Sequence, residues 1–482
     1  MFIKIMSLSG IKRFFLRIEA TITISLSEYN KLKEENLLLK KQVSELTGQV
    51  SGMMKIIEAL QEEIRLLGNG KNSGTSHTPP SHQIGRSNAK SLRAKTDRKT
   101  GGQPGHEGTT MQIKEVPDET INHVPQYCND CGEDLQQAVS FLKESRHEVI
   151  IPPVQVRYIE HCSHSKVCTK CGKVCSGTLP SHLKAPIQYG HSVGALVSYL
   201  SVYQYLPYHR IKVLLKDVFG LNISEGSIDN LLERTAQKAL PLYNIIQQKI
   251  QQSEVVGSDE TGTSVAGKKG WFHTWQTTTL TFIVSSLNRG YKTIEQYFPD
   301  GFPLSVYLSD CWAAQLKVSA FLHQLCIAHL LRELRNFEDA IACKWSIAMK
   351  QLLQDAIALK KQLTSQDYLQ TPASVIAIEQ RLTQLLQADH AASHKKVQAF
   401  SKRLLKNKDS ILTFLYHPKV PPDNNASEQA IRNVKVKTKV SGQFRSEDGA
   451  RRFAILRSVI DTTIKNTQNV FDALTLFTKF ET

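Results

Sequence analysis

From Glu254 onward the chain reads as consecutive strands, and that run limits its fold more than any other part of the sequence. VVGSDETGTSVA (255–266), GWFHTWQTTT (270–279) and LTFIVSSL (280–287) are rich in β-branched and aromatic residues. YKTIEQYF (291–298) is short and helical in pattern, and PLSVYLSD (303–310) reads as a fourth strand. A helix is expected next, near Ala313 to Leu322. Residues 338–412 are rich in Leu, Gln, Lys and Ala and read as helices, and helix returns from about 423.

Three antiparallel strands, a helix and a further strand is the order that opens a ribonuclease-H-like α/β core. That core is expected over 253–475, with a helical insertion at about 338–412. Its first and fourth strands are neighbours, so Asp259 in the first and Asp310 at the end of the fourth can face each other. Glu428 lies in DNNASEQAIRNVKVK, a helix capped near Asp423 or Asn424, where its carboxylate can lean over the strand ends. Cutting a phosphodiester without a covalent enzyme intermediate calls for two divalent ions, held by a few carboxylates that leave room for phosphate and water. Asp259, Asp310 and Glu428 are therefore the candidate catalytic residues and ligands for Mg²⁺ or Mn²⁺. Arg432, Lys435, Lys437, Lys439 and Arg445 follow as candidate DNA-binding residues, with Arg451 and Arg452 beyond them. The plainer readings are an aspartate in a loop and a solvated basic face.

The N-terminal half divides by composition. Residues 28–68 carry Leu32, Leu39, Leu46, Met53, Leu60 and Leu67 at one heptad position, and Asn36, Val43, Val50, Ile57 and Ile64 at the other. That pattern favours a parallel two-stranded coiled coil, and hence a homo-oligomer, over a helix packed on its own domain. Residues 69–121 form a basic linker rich in Gly, Ser and Pro, unable to bury enough surface to fold alone. In 122–178, Cys128-x-x-Cys131 and Cys168-x-x-Cys171 are each followed by glycine, a spacing suited to four thiolates around structural Zn²⁺. Cys162, Cys175, His161 and His164 are rival ligands, and the alternating stretch 147–161 is expected to be a hairpin between the two pairs. Residues 179–252 read as helical. Two helices flank Gly220 and a Ser224 cap, the outline of a DNA-reading helix-turn-helix or of a plain helical hairpin. The second would begin near Glu225 and present Ser227, Asn230 and Arg234.

A formal net charge of +16 points to a polyanion, most simply nucleic acid. The apolar stretch around Phe14 to Leu26 is broken by Arg17 and Glu19 and lacks a cleavage site of secretory type, and residues 1–25 fit no element. The expectation is a cytoplasmic protein bound to nucleic acid, with no membrane partner.

Several ordered blocks resemble the transposases of the insertion sequence 66 family, over nearly the whole chain. They are RKTGGQPGHEG (98–108), the paired Cys-x-x-Cys-Gly knuckles, YLPYHRI (205–211), SDETG (258–262), YLSDCW (307–312), CIAHLLREL (326–334) and DNNASEQAIRNVKVKTKVSGQFRSEDGA (423–450). The resemblance implies a DDE transposase whose acidic triad falls on Asp259, Asp310 and Glu428. It also implies transposon terminal inverted repeats and target DNA as partners, with accessory proteins of the same element as further candidates. Two departures from the family pattern are Gln429, where an arginine is usual, and His329-Leu330-Leu331-Arg332, which lacks one of two arginines. Cys326 and His329 are then either supports of the metal site or buried structural residues. A different class, a zinc-containing DNA-binding regulator with a non-catalytic nuclease-like core, fits the same N-terminal modules, as does a nuclease that cuts without joining.

Overall fold

The computed structural model describes residues 25–69, 105, 107, 115–341, 343–388 and 394–479. The expectations for the first 24 residues, and for most of the basic linker with its GGQPGH box, lie outside them. Helix α1 spans Leu26–Asn69 and leaves Leu32, Leu39, Leu46, Met53, Val43, Val50 and Ile57 exposed. After it come two short strands, β1 (Ser165–Val167) and β2 (Val174–Ser176), paired antiparallel. Helices α2 (His191–Ser198), α3 (Tyr208–Phe219) and α4 (Glu225–Gln251) lead into the main sheet. The sheet is built from β3 (Val255–Val265), β4 (Lys268–Gln276), β5 (Thr281–Ser286), β6 (Phe302–Ser309) and β7 (Ala320–Leu325), with α5 (Tyr291–Tyr297) between β5 and β6. Helices α6 (Ile327–Ile341), α7 (Lys344–Lys360), α8 (Ala373–Gln387) and α9 (Lys395–Lys406) follow, then α10 (Thr413–Tyr416), α11 (Asn425–Ser441), α12 (Glu447–Lys465) and α13 (Val470–Lys479).

These elements form two compact units. One gathers α1 with α6 to α9 and takes up the chain from Ile327 to Lys408, so the helical insertion begins earlier than the expected 338. Its interior includes Trp345, Met349, Leu352 and Leu353 of α7 with Val375, Ile378 and Leu382 of α8. The Trp345 indole donates to the Leu385 carbonyl at 2.8 Å, and Arg403 of α9 pairs with Glu333 of α6 at 2.6 Å.

The other unit holds the sheet, whose strand order is β5-β4-β3-β6-β7. Strands β3, β4 and β5 are antiparallel, whereas β6 runs parallel to β3 and β7 parallel to β6. This mixed sheet with its helices is compatible with a ribonuclease-H-like core. Ala266 and Gly267 both have positive φ, which makes the β3–β4 connection a tight two-residue turn matching the strand twist. Trp275, Phe282, Phe298, Phe302 and Tyr307 fill the interior beside the sheet. On the β5 edge, Ser458 and Thr462 of α12 accept hydrogen bonds from the Ile283 and Thr281 amides (2.8 and 3.1 Å).

The helical region 191–251 shares one continuous core with the sheet, since Ile211, Leu215, Ile228, Leu232 and Tyr243 join the same buried cluster as Phe272 and Phe453. Gly220 takes the left-handed conformation that closes α3, and Ser224 caps α4 by accepting from the Ser227 amide (3.0 Å), as expected. Arg452 of α12 is nearly buried and pairs with Asp229 and Glu233 of α4 at 2.5 and 3.3 Å, while Arg451 pairs with Glu233 at 3.2 Å.

Two expectations are corrected. Residues 313–322 are not helical: a single turn at Gln315–Lys317 gives way to β7, which adds a parallel edge strand. Residues 147–161 form no hairpin. Pro152 and Pro153 remove two backbone donors, and Ile150 and Ile151 remain exposed with no face to pack on. Among the described residues, no helix is long and apolar enough to cross a membrane.

Candidate active site

Strand β3 carries the first aspartate, and its neighbour carries the second. The pairing of β3 with β6 sets Val255, Val256 and Gly257 against Val306, Tyr307 and Leu308. Continued by two residues, that register brings Asp310 level with Asp259. Side chains alternate along a strand, so Gly257 and Asp259 share one face and Glu260 takes the other.

Helix α11 lies on the face of Gly257 and Asp259. It comes close because Gly257 has no side chain: a Cβ there would stand 2.6 Å from the Asn424 Oδ1, 2.6 Å from the Gln276 Nε2 and 2.8 Å from the Ser427 Oγ. Buried Asn424 pins the helix start. Its Nδ2 donates to the Ser258 carbonyl (2.7 Å), its Oδ1 accepts from the Ser427 hydroxyl (2.6 Å), and its amide donates to the Cys326 sulfur (3.2 Å). Further along, Thr438 meets Thr263 at 3.0 Å, so the helix tracks β3. Glu428 therefore sits in the first turn of α11, over the part of β3 that carries Asp259.

Electrostatics tie the three carboxylates together. Asp259 is only 6% exposed. Burial pushes its carboxyl well above the usual carboxylate range, and the charges of Asp310, Glu260 and Glu428 push it the same way. The Glu260 amide opposes this by donating to Asp259 at 2.8 Å. A buried carboxyl in the field of three others is a place where a hard cation removes an electrostatic cost. The donor chemistry thus suits Mg²⁺ or Mn²⁺, although among the described residues no three His, Cys, Asp or Glu side chains are drawn together closely enough to hold an ion as they stand.

The basic residues sort by helical position. Arg432, Lys435 and Lys439 follow Glu428 at a spacing that keeps them on one face of α11. Burial lowers the Lys435 ammonium while Asp259 and Glu428 raise it, which places this face beside the carboxylates. Lys437 is turned elsewhere: its ammonium donates to the Ser201 carbonyl (3.3 Å), and burial lowers it to about 8. Arg445 is exposed in the link between α11 and α12. Arg451 and Arg452 are occupied in the ion pairs with α4. Of the residues expected on a helix-turn-helix face, Asn230 and Arg234 are exposed, whereas Ser227 is drawn into the cap of α4. Sequence reasoning missed Asn424 as the residue that seats the carboxylate helix, although its place at the cap was visible.

The two cysteine pairs adopt the same turn. Cys128 and Cys168 donate their amides to the Glu133 and Lys173 carbonyls (2.8 Å each) and accept from Gly132 and Gly172 at 2.9 and 2.8 Å. Both glycines have positive φ, as such a turn requires. The amides of Cys131 and Cys171, followed by those of Asp130 and Lys170, hold the Cys128 and Cys168 thiols below the ordinary range. Each knuckle is thus shaped for a thiolate pair, but the pairs are not gathered into one four-sulfur group. Cys326 is buried against Asn424. His329 belongs to α6 in the helical unit.

No curated protein matches the sequence. A model of the family described as "Transposase IS66 family" matches residues 186–452, a span that takes in α3, α4, the whole sheet, the three acidic residues and all of α11. That match covers more than half of the chain, and with the carboxylate arrangement it leads to one conclusion: the chain belongs to the IS66 transposase family.

Proposed function

We propose that the protein is a DDE transposase that cuts DNA at the ends of its own element and joins those ends to target DNA, with Asp259, Asp310 and Glu428 as its catalytic carboxylates. The observation that carries this reading is the meeting of two neighbouring parallel strands and the start of α11 around one buried aspartate. Asp259, Asp310 and Glu428 would hold the divalent ions, Mg²⁺ or Mn²⁺. When bound, such ions activate the attacking oxygen and stabilise the leaving one. Asp259 anchors the set from its buried strand, while Asp310 and Glu428 approach from the adjoining loop and helix. Arg432, Lys435 and Lys439 neutralise phosphate beside the carboxylates, and Arg445 extends this surface along the strand being cut. Cys128, Cys131, Cys168 and Cys171 would hold a structural Zn²⁺ once their two knuckles close on it. The exposed heptad face of α1 pairs with a second copy, so that two ends are handled together. Terminal inverted repeats and target DNA are the partners, met in the bacterial cytoplasm.

The test is strand transfer of a labelled transposon end with Mg²⁺. Asp259→Asn, Asp310→Asn and Glu428→Gln each keep size and remove charge. Each is expected to abolish both cutting and joining while DNA binding stays within a few-fold of wild type. Cutting without joining would leave a plain nuclease. End binding without metal-dependent cutting, in the wild type and all three variants, would leave a DNA-binding regulator.

A further inference from the structure

Behind Asp259, on the opposite face of β3, Glu260 is fully buried, and both its oxygens are engaged. Oε1 accepts from the Arg289 Nε and Nη2 at 3.1 and 2.8 Å, and Oε2 accepts from the Gln315 side-chain Nε2 at 2.9 Å. The Arg289 guanidinium lies between two indoles, 4.7 Å from the Trp271 ring centre and 4.2 Å from that of Trp312. Trp312 and Gln315 both belong to the segment that leaves β6 through Asp310. The carbonyl of Trp312 accepts from the Gln315 amide (3.0 Å), and the Gln315 side chain accepts from the Tyr307 hydroxyl (2.6 Å).

The segment carrying the second aspartate is therefore fastened at two points to the residue next to the first. We propose that Arg289, clamped between Trp271 and Trp312 and paired with Glu260, is a positioning residue that holds Asp310 at its working separation from Asp259. This rests on the reading of both aspartates as metal ligands. Glu260 ties β3 to the Asp310 loop directly through the Gln315 side-chain amide, and indirectly through Arg289, with which it pairs and which lies over the Trp312 ring. Arg289 adds a planar group that fixes the Trp312 ring from one side while Trp271 backs it from the other. A lysine keeps the charge but not the two flat faces.

The experiment compares full-length wild type with Arg289→Lys, Trp312→Ala, Trp312→Phe and Glu260→Gln. Calorimetric Mn²⁺ binding, the Mg²⁺ dependence of end cleavage, end binding and the thermal midpoint are measured on each. Partners that orient metal ligands cost on the order of 10–100-fold in metal affinity when lost. Arg289→Lys and Trp312→Ala are therefore expected to weaken Mn²⁺ binding by about tenfold or more and to raise the half-saturating Mg²⁺ equally. Trp312→Phe, which retains one aromatic face, recovers most of the loss, and end binding stays unchanged. Glu260→Gln also lowers the thermal midpoint, because it leaves Arg289 without its buried charge partner.

Trp312→Ala sits in a half-buried loop and keeps the test alive if the other variants fold poorly. Variants that lose only thermal stability, with Mn²⁺ binding as in wild type, overturn the inference. A wild type that binds Mn²⁺ at this set without cutting, with the variants weaker, upholds the inference and removes the transposase chemistry instead. A wild type that binds no Mn²⁺ removes both.

Discussion

Replacing Gly257 with alanine tests how the carboxylate helix is seated. The added methyl meets three polar atoms at 2.6 to 2.8 Å, from Asn424, Gln276 and Ser427. Two of these belong to the start of α11, which is held to β3 through the Asn424–Ser258 bond. Overpacking a tight interior costs about 1–3 kcal/mol. If α11 lifts to make room, that bond breaks and leaves a buried donor and acceptor unsatisfied, at about 1–3 kcal/mol more. The expected destabilisation is roughly 2–6 kcal/mol. Glu428 moves with the helix, and a misplacement of about 1 Å in a catalytic group can cost on the order of a hundredfold in rate. Denaturant unfolding gives the first quantity, and strand transfer well below the unfolding midpoint gives the second. Gly262→Ala is the control on the same strand, because a methyl there meets only the Trp271 ring at 3.4 Å or more. A Gly257→Ala protein with the midpoint and strand-transfer rate of Gly262→Ala would refute the argument that this glycine exists to let α11 approach.

Other outcomes follow from the same geometry. Cys128→Ser or Cys171→Ser should release one Zn²⁺ per chain and unfold 122–178, seen by metal analysis and proteolysis, because ligation supplies most of such a module's folding energy. Unchanged metal content in both variants would remove the zinc site. Deleting residues 28–67 should lower the mass measured by light scattering while the sheet unit stays folded; an unchanged oligomeric state would remove the zipper. Lys437, lowered by burial to about 8 from an ordinary 10.5, makes the unfolded chain bind more protons between those two values. Stability should therefore rise with pH through that window, and Lys437→Met should lessen, without abolishing, the rise in denaturation midpoints taken from pH 7 to 10, because burial also lowers Lys360 and Lys465 to about 8. A variant that keeps the wild-type slope would mean that Lys437 is not the group responsible.

Local signals were legible where the chemistry was local. Gly220 and Ser224 punctuate α3 and α4 through their own backbone needs, so the helical pair was readable. Asp259 and Asp310 stood out because each ends or interrupts an apolar strand run. Strand β7 was not readable: AFLHQL has no clean alternation, and an apolar run of that length suits a helix or a buried strand equally. The 147–161 segment misled in the opposite way, with a strand's composition but no surface to pair with. Charge type was visible in Lys437, Arg451 and Arg452, but direction was not. Their partners, Ser201, Asp229 and Glu233, are more than 200 residues away in sequence. Glu260 drew no role from the sequence, since nothing in SDETG reveals that Arg289 and Gln315 converge on its far side.

The ion pairs and common core that fasten α4 to α12 also set a length. Only a short link separates α12 from α11, and α11 carries Glu428. The helical pair and the helix that carries Glu428 are thus built on one core and cannot drift apart without opening it. Were α3 and α4 to grip a terminal repeat, as the proposed function would have it, the count of base pairs between the gripped bases and the severed phosphate would be a constant of the folded protein. On the proposed function such a molecule would work as a caliper: one base pair inserted into that interval would shift the cut by one step along the DNA, away from the element's own end.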